Sequence, residues 1–326
     1  MTHRLPVAAV CFFLTLTSGI TAQAQDFPNR PITMVMPYAA GGPGDLITRV
    51  FAGAMQKTLG QQILVDNTAG ASGSIGTAKV GRARADGYTL LMIHVSHATN
   101  QALFKNLPYH PVDDFEPIGQ ATEGPMVLVA RKDFPPRDAK EFVAYVRANS
   151  GKLSIGHAGV GSASHLCGLL FMSALQVDLI QVPYKGTAPT LNDLMGGQLD
   201  IMCDQTSTTI PAITAGKIKA YAAAGKSRLA SMPDLPSLSE TGVAGFDISI
   251  SFGLYAPKAT PPAVIEKLSN ALQLALKNPD LRARFEALGV AAVSPERGKP
   301  EALRAHLKTE IETLGPLLIK AGVQPN

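Results

Sequence analysis

The sequence predicts an α/β fold in two lobes, and three observations carry that reading. From Pro31 onward, short β-branched runs alternate with stretches of helical period. Glycine-rich loops join strand to helix at two well-separated places, Tyr38 to Asp45 and Gly159 to Ser164. The chain then ends in amphipathic helices with no sheet of their own to cover. Its 326 residues suit about two domains of roughly 150 residues each. With 46% hydrophobic and 17% charged residues the chain is no disordered polymer, and its 3 cysteines exclude a disulfide-built scaffold. The net charge of +4 arises from 29 basic and 25 acidic residues, largely interspersed. No basic stripe or tail is present, so no nucleic-acid partner is expected.

The elements follow in order. Met1 to Ala24 reads as a secretory leader: His3 and Arg4 open it, Leu5 to Ile20 is apolar, and Ala22-Gln23-Ala24 supplies a small-x-small cleavage pattern. The apolar run falls short of the ~20 residues of a membrane span, although an uncleaved anchor is the competing reading. Cys11 lies inside that run and follows Val10, which does not fit lipidation. The mature chain is therefore expected to start near Gln25, exported to the periplasm.

Ile32 to Pro37 is a first strand. A helix capped by Asp45 follows, with Ile47, Val50, Phe51, Ala54, Met55 and Leu59 at three- and four-residue steps. Ile63–Asp66 and Tyr88–His94 are the next strands, separated by a Gly70–Gly76 loop that leads into a helix. A second series has strands at Met126–Ala130, Leu153–Gly156, Leu179–Val182, Leu199–Cys203 and Ile218–Ala223. Its helices are Asp138–Ala148, Ser162–Leu175 and Pro189–Met195. Pro261–Lys277, Pro279–Leu288 and Lys299–Ala321 are the closing helices, which would return to cover the first sheet. This divides the chain into one domain of 25–123 plus 256–326 and another of 124–255. Two crossings imply a hinge and a cleft.

In the loop Tyr38-Ala39-Ala40-Gly41-Gly42-Pro43-Gly44-Asp45, glycines let the backbone approach a ligand while a helix start offers unpaired N–H groups and partial positive charge. That is an anion site made from main chain. The Gly159–Ser164 loop repeats the design. Either loop alone is explained by a tight turn; as a pair facing a cleft they would hold a carboxylate between them.

Competing chemistries fail on spacing. Gly42-Pro43-Gly44-Asp45-Leu46-Ile47 lacks the third glycine of a dinucleotide fingerprint, and Gly70-Ala71-Ser72-Gly73-Ser74 lacks the last glycine of a nucleophile elbow. His94 and His97 have no evident third ligand, so no metal is expected. Neither is a cofactor. Ser162, with His165 nearby, is the candidate nucleophile of an exported hydrolase, the alternative reading; a helix cap or ligand donor is its simpler role. Lys185 could steer an anion. Asp204, at a strand end where α/β proteins place ligand contacts, could accept from an ammonium, a hydroxyl or a water. Cys167 and Cys203 fit either a disulfide or two buried thiols.

Several segments together resemble a known family. Pro31-Ile32, Pro37-Tyr38-Ala39-Ala40-Gly41-Gly42 with Asp45, Asp66-Asn67, Gly70-Ala71-Ser72-Gly73-Ser74-Ile75-Gly76, Asp86-Gly87-Tyr88-Thr89-Leu90, Val182-Pro183-Tyr184-Lys185-Gly186 and Gly196-Gly197-Gln198-Leu199-Asp200 occur in the order found in the Bug receptors. Those are the extracytoplasmic solute-binding components of tripartite tricarboxylate transporters. The resemblance implies a two-lobed periplasmic-binding-protein fold, type II-like, with a ligand cleft between the lobes. It implies a small organic anion, a di- or tricarboxylate or an aromatic carboxylate, held by main-chain N–H groups with ordered water assisting. The membrane subunits of a transporter would be partners of a monomeric receptor; a signalling subunit is a further alternative. Carried over by motif, the ligand-binding residues are Tyr38, Ala40, Gly41, Gly42, Ser96, Gly161, Ser162, Ser164, Thr187 and Asp204. Two departures from the family pattern stand out. Pro43-Gly44 introduces a bend beside the first loop, and Ser251 stands where the family often carries Trp, so a smaller or more polar cleft wall is expected.

Overall fold

The computed structural model describes residues 27–243, 246–320 and 323. The expected leader and its cleavage point lie outside the described residues.

The first half of the chain runs β1 (Ile32–Met36), α1 (Pro43–Leu59), β2 (Ile63–Asn67), α2 (Ser74–Gly81), β3 (Thr89–His94) and α3 (Ser96–Leu103). Parallel pairing places β1 between β2 and β3. Burial of consecutive residues Met34, Val35 and Met36 shows β1 covered on both faces, as a central parallel strand must be. The next segment comprises β4 (Phe115–Arg131), α4 (Ala139–Ala148), β5 (Ser154–His157), α5 (Ala163–Leu175), β6 (Ile180–Pro183), α6 (Thr187–Met195), β7 (Ile201–Gln205), α7 (Thr206–Thr214) and β8 (Ile218–Ala223). Here β5 lies between β6 and β7, again with parallel pairing. The end of the chain adds β9 (Ser249–Pro257), α8 (Pro262–Lys277), α9 (Pro279–Ala287), β10 (Ala291–Ala292) and α10 (Pro300–Lys320).

The two halves therefore repeat one plan. In each, the chain leaves a central strand, pairs the next strand on one side and the third on the other, and meets an antiparallel strand beyond the third. That antiparallel strand is β9 beside β3 and β4 beside β7. The long strand β4 joins the two: Phe115 to Pro125 pair with β9, and from Met126 onward the partners are β7 and β8. Two irregularities in the β4–β9 register, at Pro117/Gly119 and Gln120/Thr122, bend this connection. Gly119 is required there, because a Cβ would stand 2.0 Å from the carbonyl oxygen of Gly298.

Most sequence-predicted elements are present within a residue or two. The helix expected to be capped by Asp45 instead starts at Pro43, with Gly42 as N-cap. Proline at the first helical position needs no N–H partner and brings its φ preset, so the helix begins before the acidic residue. The same fact corrects the expected bend at Pro43-Gly44, since α1 runs straight through both. Gly44 is needed for close packing on β1: a Cβ would meet Met36 Cε at 2.0 Å. The sequence reading did not anticipate the first half of β4, β9, α3 or α7. As expected, the closing helices cover the first half, α8 packing on α1 and β4, and α10 on α3 and β4.

Cys167 of α5 and Cys203 of β7 form a disulfide, Cα to Cα 6.0 Å, between residues 36 apart. Closing a loop of that length is worth about 3–4 kcal/mol in the chain-entropy account. It staples α5 to β7 at the residue just before Asp204. Among the described residues, no helix is long and apolar enough to cross a membrane.

Candidate functional site

The repeated plan creates two equivalent places where the chain reverses its direction of travel across a sheet: the carboxyl ends of β1 and β5. Crevices at such points are where open α/β sheets bind ligands. Both glycine-rich loops sit there, and they face each other. Thr99 Oγ1 of α3 donates to the Gly161 carbonyl at 3.0 Å, Ser72 hydrogen-bonds the Val160 carbonyl, and Thr187 packs against Gly42.

Between the loops lies a narrow inner cavity with about 20 Å³ of room for water, roughly one molecule. Its wall is built from the starts of four helices: Gly42 to Asp45 of α1, Ser162 to Ser164 of α5, Thr187 of α6 and Gln205 before α7. Tyr38, His94, Ala158 and Asp204 also line it, with Met36 and Ala39. Each helix start contributes partial positive charge and N–H groups. Among the described residues, the amides of Gly42, Gly44 and Asp45 on one side, and of Ala163 and Ser164 on the other, have no hydrogen-bond acceptor. An outer chamber of about 270 Å³ adjoins it, sharing Tyr38 and Ala158 and lined by Gly70–Gly73, Gly159, Val160, Tyr184 and Lys185.

Tyr38 divides the two spaces. Its hydroxyl donates to the Ser72 carbonyl at 3.0 Å, and its ring lies 4.7 Å from that of His94. Burial pushes the phenol well above its usual range. His94 is equally enclosed; burial lowers its pKa to about 3, so it is neutral, and Nδ1 accepts the Ser96 N–H at 3.1 Å. Asp45 reaches back to accept the Gly41 N–H at 3.0 Å and pairs with Arg49. Burial raises the Asp45 pKa, but Arg49, the Gly41 amide and Asn67 outweigh it and keep the carboxylate ionised.

Asp204 is different. Only 2% exposed, it takes side-chain hydrogen bonds from two hydroxyls, Thr208 Oγ1 at 2.7 Å and, more weakly, Thr187 Oγ1 at 3.5 Å. Burial carries its pKa up to about 7, partly offset by Thr208, the Gln205 amide and Thr187.

Of the ten residues named from the sequence, the structure gathers Tyr38, Gly42, Ser162, Ser164, Thr187 and Asp204 on the inner wall. The other four lie off it. Ala40 and Gly41 are exposed on the outer side of the first loop, where Gly41 adopts φ +81° to turn the chain. Gly161 faces α3, where a Cβ would meet Leu103 at 2.2 Å, and Ser96 is buried beneath the loop. Sequence reasoning missed Asp45, Ala163 and Gln205 as wall residues, and treated His94 only as a metal candidate. Their common signal is position at the carboxyl end of a strand or in the first turn after it.

Ser162 is the N-cap of α5, its Oγ accepting the His165 N–H at 3.2 Å. The His165 ring turns away to accept the Gly161 N–H through Nδ1 at 3.0 Å. Burial, with His157 beside it, lowers its pKa to about 4. The pair is thus spent on loop structure, and no hydrogen bond joins the Ser162 hydroxyl to the imidazole among the described residues. Ser251, expected on the cleft wall, points the other way. Alternation along β9 turns Phe252 toward His94 and puts Ser251 against α10, 2.7 Å from His306 Nε2. Its small side chain therefore does not open the cleft. His97 is buried among Tyr109, Phe115 and Tyr255, apart from His94 in its own surroundings.

With this geometry in view, comparison with known proteins is decisive. The model of the tripartite tricarboxylate transporter family receptor matches residues 47–320. The chain belongs to that family. It is similar to the UPF0065 protein in the TAR-I ttuE-ttuC' intergenic region of Agrobacterium vitis, 45% identical over 302 residues, 92% of this chain and 87% of the relative. Its fold matches the periplasmic binding protein BugD with TM-score 0.89 at 46% identity, covering 92% of this chain and all of that one. It also matches MatC from Rhodopseudomonas palustris, solved with bound malate: TM-score 0.85, 41% identity, 90% of this chain and 100% of that one. The fold is that of a two-lobed periplasmic binding protein, and its relatives are binding proteins.

Proposed function

We propose that this family member is a periplasmic receptor that captures a small organic dicarboxylate and presents it to the membrane subunits of a tripartite transporter. The observation that carries this reading is the convergence of four helix starts on one cavity at two equivalent switch points. Unpartnered amides from both loops are there to meet one carboxylate, in a space dry enough to strengthen each charge-assisted hydrogen bond. The inner cavity is on the scale of one carboxylate end; the outer chamber would take the rest of the acid, with Lys185 at its edge. MatC, bound to malate, supports a short dicarboxylate as the ligand.

In this reading the lobes are residues 25–123 with 256–326 and residues 124–255, hinged on β4 and β9. The change of β4 partners at Met126 supports the first crossing. The ligand-facing residues are Tyr38, Gly42, Ser162, Ser164, Thr187 and Asp204, joined by His94 and the amides of Gly44, Asp45 and Ala163. Ala40, Gly41, Ser96 and Gly161 would shape the loops from outside. The protein acts as a monomer, exported by its leader, and no bond is made or broken. Function is then differential affinity for open and closed states.

A thermal-shift screen of the mature chain tests this against organic acids, amides and sugars. A ligand at a hundred times its dissociation constant adds ~2.7 kcal/mol of stability. Malate or a related dicarboxylate should raise Tm; a response to neutral compounds and none to acids would defeat the proposal.

A further inference from the structure

The receptor reading leaves one group unexplained. A site for an anion would be expected to exclude acidic side chains, yet Asp204 is set into the wall of the inner cavity and buried to 2% exposure. Among the described residues that line the cavity, none is a cationic side chain. Toward it face Tyr38 and Asp45 from the first loop and helix, His94 from β3, Thr187 from α6, and Gln205 and Thr208 from α7. Tyr38 and His94 are uncharged at neutral pH, and Asp45 is itself a carboxylate, its charge already matched by Arg49. His157 and His165 behind the second loop are drawn toward neutrality by burial and accept loop amides. On the β4 side the register partner is apolar Val127. The Asp204 oxygens meet only hydroxyls and an amide, and the one hydroxyl contact of Oδ1 is the long one from Thr187, on an edge that lines the cavity.

A ligand carboxylate entering a space of this size comes within a few ångströms of Asp204. Two carboxylates so placed do not both stay ionised; one takes a proton. The ligand end is held by amides that favour its charged form, whereas burial favours the neutral form of Asp204.

We propose that this receptor binds its anion together with one proton, which resides on Asp204 and turns that carboxyl from a repelling charge into an O–H donor toward the ligand carboxylate. The proton comes from solvent on binding and returns to it on release, so the bound pair carries the ligand's charge alone. The proposal rests on the receptor reading and deepens it: the wall then selects acceptor oxygens and disfavours an ammonium group. It also ties affinity to pH. Because the unliganded group titrates near neutrality, with a pKa of about 7, the binding-competent fraction shrinks as pH rises. Affinity should fall about 15-fold between roughly pH 7 and pH 8.5.

Calorimetry of the mature chain with malate at about pH 8, in two buffers of different ionisation enthalpy, tests this directly. The expected heats differ between buffers by an amount equal to uptake of close to one proton per malate. Asp204→Asn, whose amide N–H stands in for the acid O–H, should show no buffer dependence and a flat pH profile. Equal heats in both buffers for the wild-type chain, or tighter binding of aspartate than of malate with no proton taken up, would overturn the proton proposal while leaving the receptor intact. If neither malate nor adipate binds at any pH, the receptor reading fails and the proton proposal with it.

Discussion

The loops after β1 and β5 occupy the same place in the repeated plan, yet they reach their anion-binding form by different means. The first is capped by backbone alone. Gly42 offers no side chain, Pro43 has no N–H, and only Asp45 reaches back, to Gly41. Three amides at the helix start on the cavity wall, those of Gly42, Gly44 and Asp45, are left open. The second is filled in by its own side chains: Ser162 takes the His165 amide, Ser164 the Ala158 amide, His165 the Gly161 amide and His157, less closely, the Gly159 amide. On the cavity wall the amides of Ala163 and Ser164 are left open, and the helix behind them is stapled by the Cys167–Cys203 disulfide. Equivalent topology thus supports an open loop that depends on glycine alone and a second loop in which glycine is joined by side-chain caps.

Mutations can break this contrast. The largest effect should come from the staple. Replacing Cys167 and Cys203 together by Ala should lower unfolding free energy by about 3–4 kcal/mol in denaturant titration, with a smaller loss of affinity through the second loop. Equal stability with and without the disulfide would remove the case for the staple. Next is Gly41→Val. A β-branched residue at φ +81° is strained by roughly 1–3 kcal/mol, and the loop should relieve that by withdrawing the Gly42 amide. Affinity should fall on the order of 100-fold while far-UV circular dichroism is retained; unchanged affinity would make the first loop a mere turn.

Asp204→Asn should stabilise the unliganded chain at alkaline pH. The folded pKa lies above the unfolded one, so the native state binds more protons between about pH 4 and pH 7 and loses stability as pH rises through that window. Removing the carboxylate should recover about 4 kcal/mol at pH 8 and little at pH 4; no pH-dependent difference in Tm would contradict the burial argument. Ser162→Ala should cost about 1 kcal/mol of stability, an ordinary cap loss, and affect binding less than Gly41→Val does. The reverse order would show that the second loop is the dominant one. Lys185→Ala, at the exposed outer chamber, should weaken binding only a few-fold and mostly at low salt.

These loops also show what the sequence could disclose. Glycine at a strand-to-helix junction is legible because few other residues permit such turns, so both loops and Asp204 were placed from residue type and spacing. The direction a loop residue faces is not legible. Gly41 and Gly42 are neighbours, yet one is exposed and the other lines the cavity; Gly161 serves α3 rather than the ligand. The first half of β4 was missed because Pro117, Gly119, Gly124 and Pro125 disfavour a strand, and only pairing with β9 makes one. Likewise α7 opens with Thr206-Ser207-Thr208-Thr209 and contains Pro211, a poor helix by propensity that exists because β7 and β4 support it. The family likeness named Ser251 as a wall residue; strand alternation turned it to α10.

Titration of nitrogen-15-labelled mature chain with malate, followed by amide NMR and hydrogen exchange, measures the essential point most directly. The account predicts that the amides of Gly42, Gly44, Asp45, Ala163 and Ser164 shift together and become protected in step with ligand occupancy. Saturable binding that leaves these five amides unmoved and exchanging freely would contradict it.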